Sequence, residues 1–116
     1  MKTTTVIDYI VQRLADEGIN HCFGVAGDYL FPVCDAVERN TKVKWIGCAN
    51  ELNASYAADG YARVSGRHGV CIAQNGPGIT NFVTSTAAAF WAHSPVGQSA
   101  NRDSSTDPAA SGGISC

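Results

Sequence analysis

Three short stretches hold the residue types that could do chemistry: Gly27-Asp28, Asn50-Glu51 and Gln74-Asn75-Gly76-Pro77-Gly78. Asp28 and Glu51 are carboxylates, suited to accepting and returning a proton. Glu51 has the more telling neighbourhood. Asn50 before it is a natural N-cap, because its side-chain oxygen can accept from the free amides of a first helical turn. Ala54, Ala57, Ala58 and Ala62 fall at helical spacing with Glu51, so the acid shares a face with small residues. Small residues let another backbone come close and would leave Glu51 partly removed from water. A carboxylate in that position is either a charge that complements a helix start or an acid/base tuned by its surroundings, and position alone leaves both open.

The glycine-rich stretch lacks both G-x-G-x-x-G and G-x-x-x-x-G-K-[ST], so neither the dinucleotide nor the P-loop fingerprint is present. Gly-Pro-Gly makes a stiff turn that exposes backbone groups, which suits the lining of a flat ligand. Its plain alternative is a tight strand-to-helix turn. Other candidates are weaker. His21 and His93 are isolated and read as structural. Ser55, Ser85 and Ser94 have no evident base partner, and no G-x-S-x-G elbow occurs. Tyr29, Tyr56, Tyr61, Trp45, Phe90 and Trp91 read as core or interface aromatics.

The elements that position these stretches follow from periodicity. Val6, Ile7, Ile10, Val11 and Leu14 predict an amphipathic helix over residues 4–17, closed by Gly18. His21 to Val25 reads as a short buried strand that ends at the turn Ala26-Gly27-Asp28. A second helix is expected over 29–40, with Pro32 in its first turn and Leu30, Val33, Cys34 and Val37 as its core stripe. Val43 to Gly47 is the next strand and leads into the Glu51 helix, which stops near Ser65-Gly66. Gly69 to Ala73 is a third strand. A last helix is expected over 79–92 with Phe82, Thr86, Ala89 and Phe90 inward. This alternation predicts an α/β fold of three layers, α/β/α, with a mostly parallel sheet and right-handed crossovers. In such a sheet ligands gather at the carboxyl ends of the strands, where all three chemical stretches fall. After Val96 the pattern changes: residues 97–116 hold one large apolar side chain, Ile114, and read as a disordered tail or a truncated or frame-shifted end.

Composition narrows the function classes. The chain has 116 residues, 45% of them hydrophobic, which fits one globular domain at residues 1–96. Its net charge is −2 and its pI about 5.8, with no Lys/Arg cluster, so nucleic acid and anionic membrane are poor partners. No apolar run reaches the length of a membrane span. Asp8, Arg13, Asp16 and Glu17 in the first helix exclude a signal peptide, and the chain reads as cytoplasmic. The five cysteines form no C-x-x-C pair and have no histidine at ligand spacing, so reduced buried thiols are expected and no metal site.

These residues resemble the N-terminal pyrimidine-binding domain of the thiamin-diphosphate-dependent decarboxylases and carboligases. Phe23-Gly24-Val25-Ala26-Gly27-Asp28-Tyr29 looks like the first active-site loop of pyruvate and indolepyruvate decarboxylases, and Trp45 to Arg63 matches the same subgroup along its length. Ala73 to Asn81, with Ala92 to Val96, looks more like sulfoacetaldehyde acetyltransferase and acetolactate synthase. The resemblance implies that Glu51 hydrogen-bonds the N1′ nitrogen of the aminopyrimidine and favours the imino tautomer, which activates the thiazolium carbon toward a 2-oxo acid. It implies a raised pKa for that carboxyl in a desolvated setting, which the small-residue face could supply. Asp28 would assist proton transfer, Gln74 would lie over the substrate, and Gly76, Pro77, Gly78 and Asn81 would line the cofactor pocket. The sequence has no Gly-Asp-Gly followed by an Asn ligand, so magnesium and the diphosphate would be held by a partner domain or subunit. The resemblance also implies a sheet incomplete at the C-terminus and an oligomer, with itself or another chain, through the Glu51 helix. The implied activity is 2-oxo acid decarboxylation that needs this partner. The alternatives are a fragment of an acetyl-transferring carboligase and a catalytically silent remnant that serves as a dimerisation module.

Overall fold

Residues 4–100 are described by a computed structural model, in which the first helix begins with a reciprocal cap. The Thr5 hydroxyl accepts from the Asp8 amide at 3.1 Å, while the Asp8 carboxylate accepts from the Thr5 amide at 3.4 Å. Helix α1 runs over Val6–Asp16, and Gly18 follows in the left-handed region at φ 78°, where glycine has no steric cost. Val11 carries the burial of this helix, with Ile7 and Leu14 packed beside it; Val6 and Ile10, expected in the same stripe, are exposed.

The strands are β1 (His21–Gly24), β2 (Lys44–Gly47), β3 (Gly69–Ala73) and β4 (Val96–Ala100). They form one parallel sheet in the order β2-β1-β3-β4, as the alternation predicted. Helix α2 (Phe31–Arg39) joins β1 to β2, helix α3 (Glu51–Ser65) crosses from β2 to β3, and helices α4 (Pro77–Thr80) and α5 (Val83–Trp91) lead to β4. Cys22, Val70 and Ile72 point to the face covered by α1 and α2, where Val11, Leu30, Ala36 and Val37 complete a core. Phe23, Cys71 and Ala73 point to the opposite face, against Ala54, Ala58 and Phe82. The chain changes face when it reverses direction across the sheet, as connections of one hand require. The result is a three-layer α/β/α domain.

Three expectations are corrected. The second helix does not start at Tyr29: a 3-10 turn over Asp28–Leu30 comes first, and α2 begins at Phe31 with Pro32 in its first turn. The last helix is broken at Asn81-Phe82, which turns its inward face to Phe82, Ser85 and Ala89 and leaves Thr86 and Phe90 exposed. Strand β4 takes in residues 97–100, which had been assigned to the tail. An outer strand is held by backbone pairing to β3 and needs no large apolar side chain. The rest of that tail, from residue 101, lies outside the described residues. The small-residue face of α3 meets this chain's own sheet. Ala54, Ala58 and Ala62 are buried, and a Cβ on Gly69 would stand 2.1 Å from the Ala58 carbonyl oxygen. The exposed side of α3 carries Leu52, Tyr56 and Val64 instead.

Candidate functional site

Register sets the site. Gly24 lies opposite Gly47 on one side and Ile72 on the other, so the carboxyl ends of β1, β2 and β3 stand side by side. The Cys48 amide extends this rim by donating to the Gly24 carbonyl at 2.8 Å. The chain leaves β1 toward one face and β3 toward the other, so a crevice opens between these neighbours. Such a switch point is where open parallel sheets bind ligands.

Glu51 enters the rim as the first residue of α3. Asn50 is the N-cap, its side-chain oxygen accepting the Asn53 amide at 2.9 Å, and Glu51 is half-buried. Glu51 Oε2 accepts from Asn81 Nδ2 at 3.2 Å. Its other oxygen, Oε1, faces Gly78, where an added Cβ would lie 3.2 Å from it and 3.3 Å from Ala73 Cβ. Gly78 is buried, so its missing side chain is what keeps room beside the carboxylate. Gly76 holds φ at 83°, a conformation glycine tolerates best, and Pro77 then opens α4. Oε1 has no hydrogen-bond partner among the described residues.

The loop after β1 reaches the same crevice. A Cβ on Gly27 would stand 1.9 Å from Gln74 Oε1, so the Gln74 side chain lies directly on this loop. Asp28, next in sequence, is exposed at the start of the 3-10 turn that the Leu30 amide closes onto Gly27. The structure therefore joins Gln74 to the Asp28 loop, and Gly78 and Asn81 to Glu51. No hydrogen bond or ion pair links Asp28 to Glu51 among the described residues.

Two polar clusters were not foreseen. Ser55 and Ser85, both buried, share a hydrogen bond between α3 and α5, and Gln98 of β4 donates to Ser55 Oγ at 3.2 Å. Asp59, buried on α3, pairs with Arg63 at 2.8 Å, and that guanidinium holds its carboxyl below the usual range. The i,i+4 spacing of Asp59 and Arg63 was a readable signal; the serine pair, thirty residues apart, gave none. Cys22, Cys34, Cys48 and Cys71 are free, and burial pushes the Cys22 and Cys71 thiols up to about 12 and about 11, which makes them poor nucleophiles. Among the described residues no His/Cys/Asp/Glu group could hold a metal ion, and no helix is long and apolar enough to cross a membrane.

The rim thus carries a half-buried helix-start carboxylate with one oxygen held by Asn81 and the other facing a glycine turn. Residues 4–105 match the profile of the thiamine pyrophosphate enzymes, N-terminal TPP binding domain. The chain belongs to this family. The match extends past the boundary at residue 96 that the sequence reading set. Among its relatives is a sulfoacetaldehyde acetyltransferase of Alcaligenes xylosoxydans xylosoxydans, 46% identical over 92 residues, covering 79% of this chain and 15% of the relative. A second, from Roseovarius nubinhibens, is 43% identical over 96 residues, covering 83% of this chain and 16% of the relative. An alpha-keto-acid decarboxylase of Mycobacterium bovis is 41% identical over 92 residues, covering 79% of this chain and 16% of the relative. A sulfoacetaldehyde acetyltransferase and a keto-acid decarboxylase thus both stand among the relatives, and the chain spans only 15 or 16% of their lengths.

Proposed function

We propose that this chain is the pyrimidine-binding portion of a thiamin-diphosphate-dependent 2-oxo acid decarboxylase, with Glu51 as its central acid/base. The observation that carries this reading is the arrangement of Glu51: Oε2 is held by Asn81, and Oε1, beside buried Gly78, has no hydrogen-bond partner among the described residues. The residues present fit the cofactor's flat ring, because a side chain at Gly78 would fill the space next to the carboxylate. When bound, thiamin diphosphate would supply the nucleophilic thiazolium carbon and the ring that takes up electrons released with carbon dioxide.

The chain's own residues would work around that group. Glu51 Oε1 would hold a proton against the pyrimidine nitrogen, while Asn81 keeps the carboxyl from turning away. Gly76, Pro77 and Gly78 would line the ring's face, leaving backbone to approach it closely. Gln74 and Asp28, across the switch-point crevice, would position the 2-oxo acid and deliver a proton. Magnesium and the diphosphate would be held by a partner domain or subunit. Four free thiols fit a reducing, cytoplasmic setting.

A second reading, an acetyl-transferring carboligase, is favoured by the 46% identity to the Alcaligenes acetyltransferase. One experiment addresses both. The purified chain is mixed with the remaining portion of one such relative, thiamin diphosphate and magnesium, and assayed for carbon dioxide release from 2-oxo acids and for acetyl transfer from sulfoacetaldehyde to added inorganic phosphate with release of sulfite. Cofactor-dependent turnover that is lost in Glu51→Gln is expected. Turnover that survives Glu51→Gln would sink the assignment, and acetyl transfer without release of an aldehyde from 2-oxo acids would select the second reading.

A further inference from the structure

Helix α3 and the segment from Asn81 into α5 meet in rungs of equal spacing. Glu51 reaches Asn81, and one turn further along each segment Ser55 reaches Ser85, so the partners of each rung are 30 residues apart. The turn is continuous on both sides. Asn81 and Phe82 keep helical dihedrals, φ −68° with ψ −16° and φ −80° with ψ −18°, across the break between α4 and α5. The upper rung is open to water, since Asn81 is exposed and Glu51 half-buried, whereas Ser55 and Ser85 are each 1% exposed.

Each serine hydroxyl holds one proton, which leaves one order in which every contact of the lower rung is made. Gln98 Nε2 donates to Ser55 Oγ at 3.2 Å, the Ser55 hydroxyl donates to Ser85 Oγ, and the Ser85 hydroxyl donates to the Phe82 carbonyl at 3.0 Å. The relay therefore ends on the residue next to Asn81, at the break itself. Thr86 converges on the same carbonyl, its amide at 2.8 Å and its hydroxyl oxygen at 2.6 Å. Hydroxyls that bond back to a carbonyl three or four residues earlier bend a helix at that point. A fully partnered polar network in a dry interior is also stiffer than a solvated hydrogen bond.

We propose that Ser55 and Ser85 are positioning residues for the Glu51 carboxylate. The buried rung fixes how far α5 stands along α3 and holds the bend at Phe82. Together these aim the Asn81 amide at Oε2, one turn above, and leave Oε1 facing Gly78. A contact buried below the rim thus decides which oxygen the acid presents. The inference deepens the proposed function and rests on it for the ligand, while the positioning itself concerns this chain's own side chains.

Side-chain amide NMR of the 116-residue chain tests it, with Glu51→Ala as the reference in which the Asn81 amide has lost its acceptor. In Ser85→Ala the Asn81 signals should move most of the way to that reference. Ser55→Ala cuts the relay but keeps the Ser85 bond to Phe82, and should move them less far in the same direction. Val11→Ala weakens the core on the opposite face of the sheet and should leave them in place, which separates positioning from a mere loss of stability. In the reconstituted mixture Ser85→Ala should weaken thiamin diphosphate binding by up to about tenfold and add nothing to Asn81→Ala, because both act on the same bond. Asn81 signals unmoved in both serine variants, or a further loss of binding in the double variant, would overturn the positioning role. Moved signals with cofactor binding unchanged in every variant would uphold it and count against the thiamin reading instead.

Discussion

The Asn81 side-chain amide donates to Glu51 Oε2 at 3.2 Å and so ties the turn after β3 to the first residue of α3. The bond joins two elements that the sheet brings to the same rim, and it fixes one carboxylate oxygen while the other has no hydrogen-bond partner among the described residues. Asn81 is exposed, so Asn81→Ala should change global stability by no more than about 0.5 kcal/mol in urea unfolding. In the reconstituted mixture, thiamin diphosphate should bind about tenfold more weakly, the usual scale for a lost hydrogen bond to a charged group. Unchanged binding by calorimetry would show that Asn81 does not orient the acid.

Gly78 makes a complementary case. Its backbone is helical and tolerates alanine, yet the new Cβ would stand 3.2 Å from Glu51 Oε1 and 3.3 Å from Ala73 Cβ. The crowding should cost about 1 kcal/mol of stability, measured by urea unfolding, because overpacking offsets the better helix propensity. The larger effect falls on the space beside the carboxylate. Gly78→Ala should weaken cofactor binding in the same mixture more than Asn81→Ala does, because it fills the space that the ring would occupy.

The rim itself was legible in the sequence. Periodicity located three strands and the start of α3, and Asn50-Glu51 showed its capping pattern directly, because each of these signals is local. Contacts that join distant segments left no such trace. Ser55 and Ser85 meet only because α3 and α5 share one face of the sheet, and Asn81 reaches Glu51 only because the last helix breaks after Thr80. The alanine face of α3 was recognised as a close-approach surface, but sequence could not say that the approaching backbone would be its own β3. Strand β4 was missed from Gly97 onward because small and polar residues show no alternation when pairing alone holds the strand.

Ser55 and Ser85 test that hidden contact. Ser55→Ala removes one partner of the half-buried Gln98 amide and leaves the Ser85 hydroxyl to donate to the Phe82 carbonyl alone, at a cost of about 1 kcal/mol. Replacing both serines by alanine removes both halves of the bond, so the double variant should lose less than the sum of the two single ones. A double-mutant cycle in urea that proves strictly additive would mean the hydroxyls do not interact.

Asp59 gives the fold an acid-sensitive contact. Arg63 lowers the carboxyl's folded-state pKa, so its contribution is fully present above the unfolded value of about 4 and is lost as pH falls through the lower folded value. Asp59→Asn should therefore lower the melting temperature at neutral pH. The difference from the natural chain should shrink steadily below about pH 4. Asp8, held low by Arg39, titrates in both proteins and cancels in the comparison. A difference that stays constant to strongly acid pH would rule out the ion pair as its source.

Gly27 and Gln74 offer the sharpest separation of fold from site. Gly27 has φ −146° and ψ 162°, an extended conformation open to any residue, so alanine there meets no backbone strain. Its Cβ would collide with Gln74 Oε1 at 1.9 Å, but that atom is the far end of a flexible side chain and can swing aside. Gly27→Ala should consequently leave the melting temperature within a few degrees while moving Gln74 away from the crevice. If Gln74 positions the 2-oxo acid, the reconstituted mixture should show a raised KM with cofactor affinity retained. Gln74→Ala should show the same defect, and Gly27→Ala added to Gln74→Ala should make it no worse, since the colliding group is already gone. A further loss in the double variant would place the effect of Gly27 on the Asp28 turn instead, which the exposed carboxylate of Asp28 could then report through Asp28→Asn.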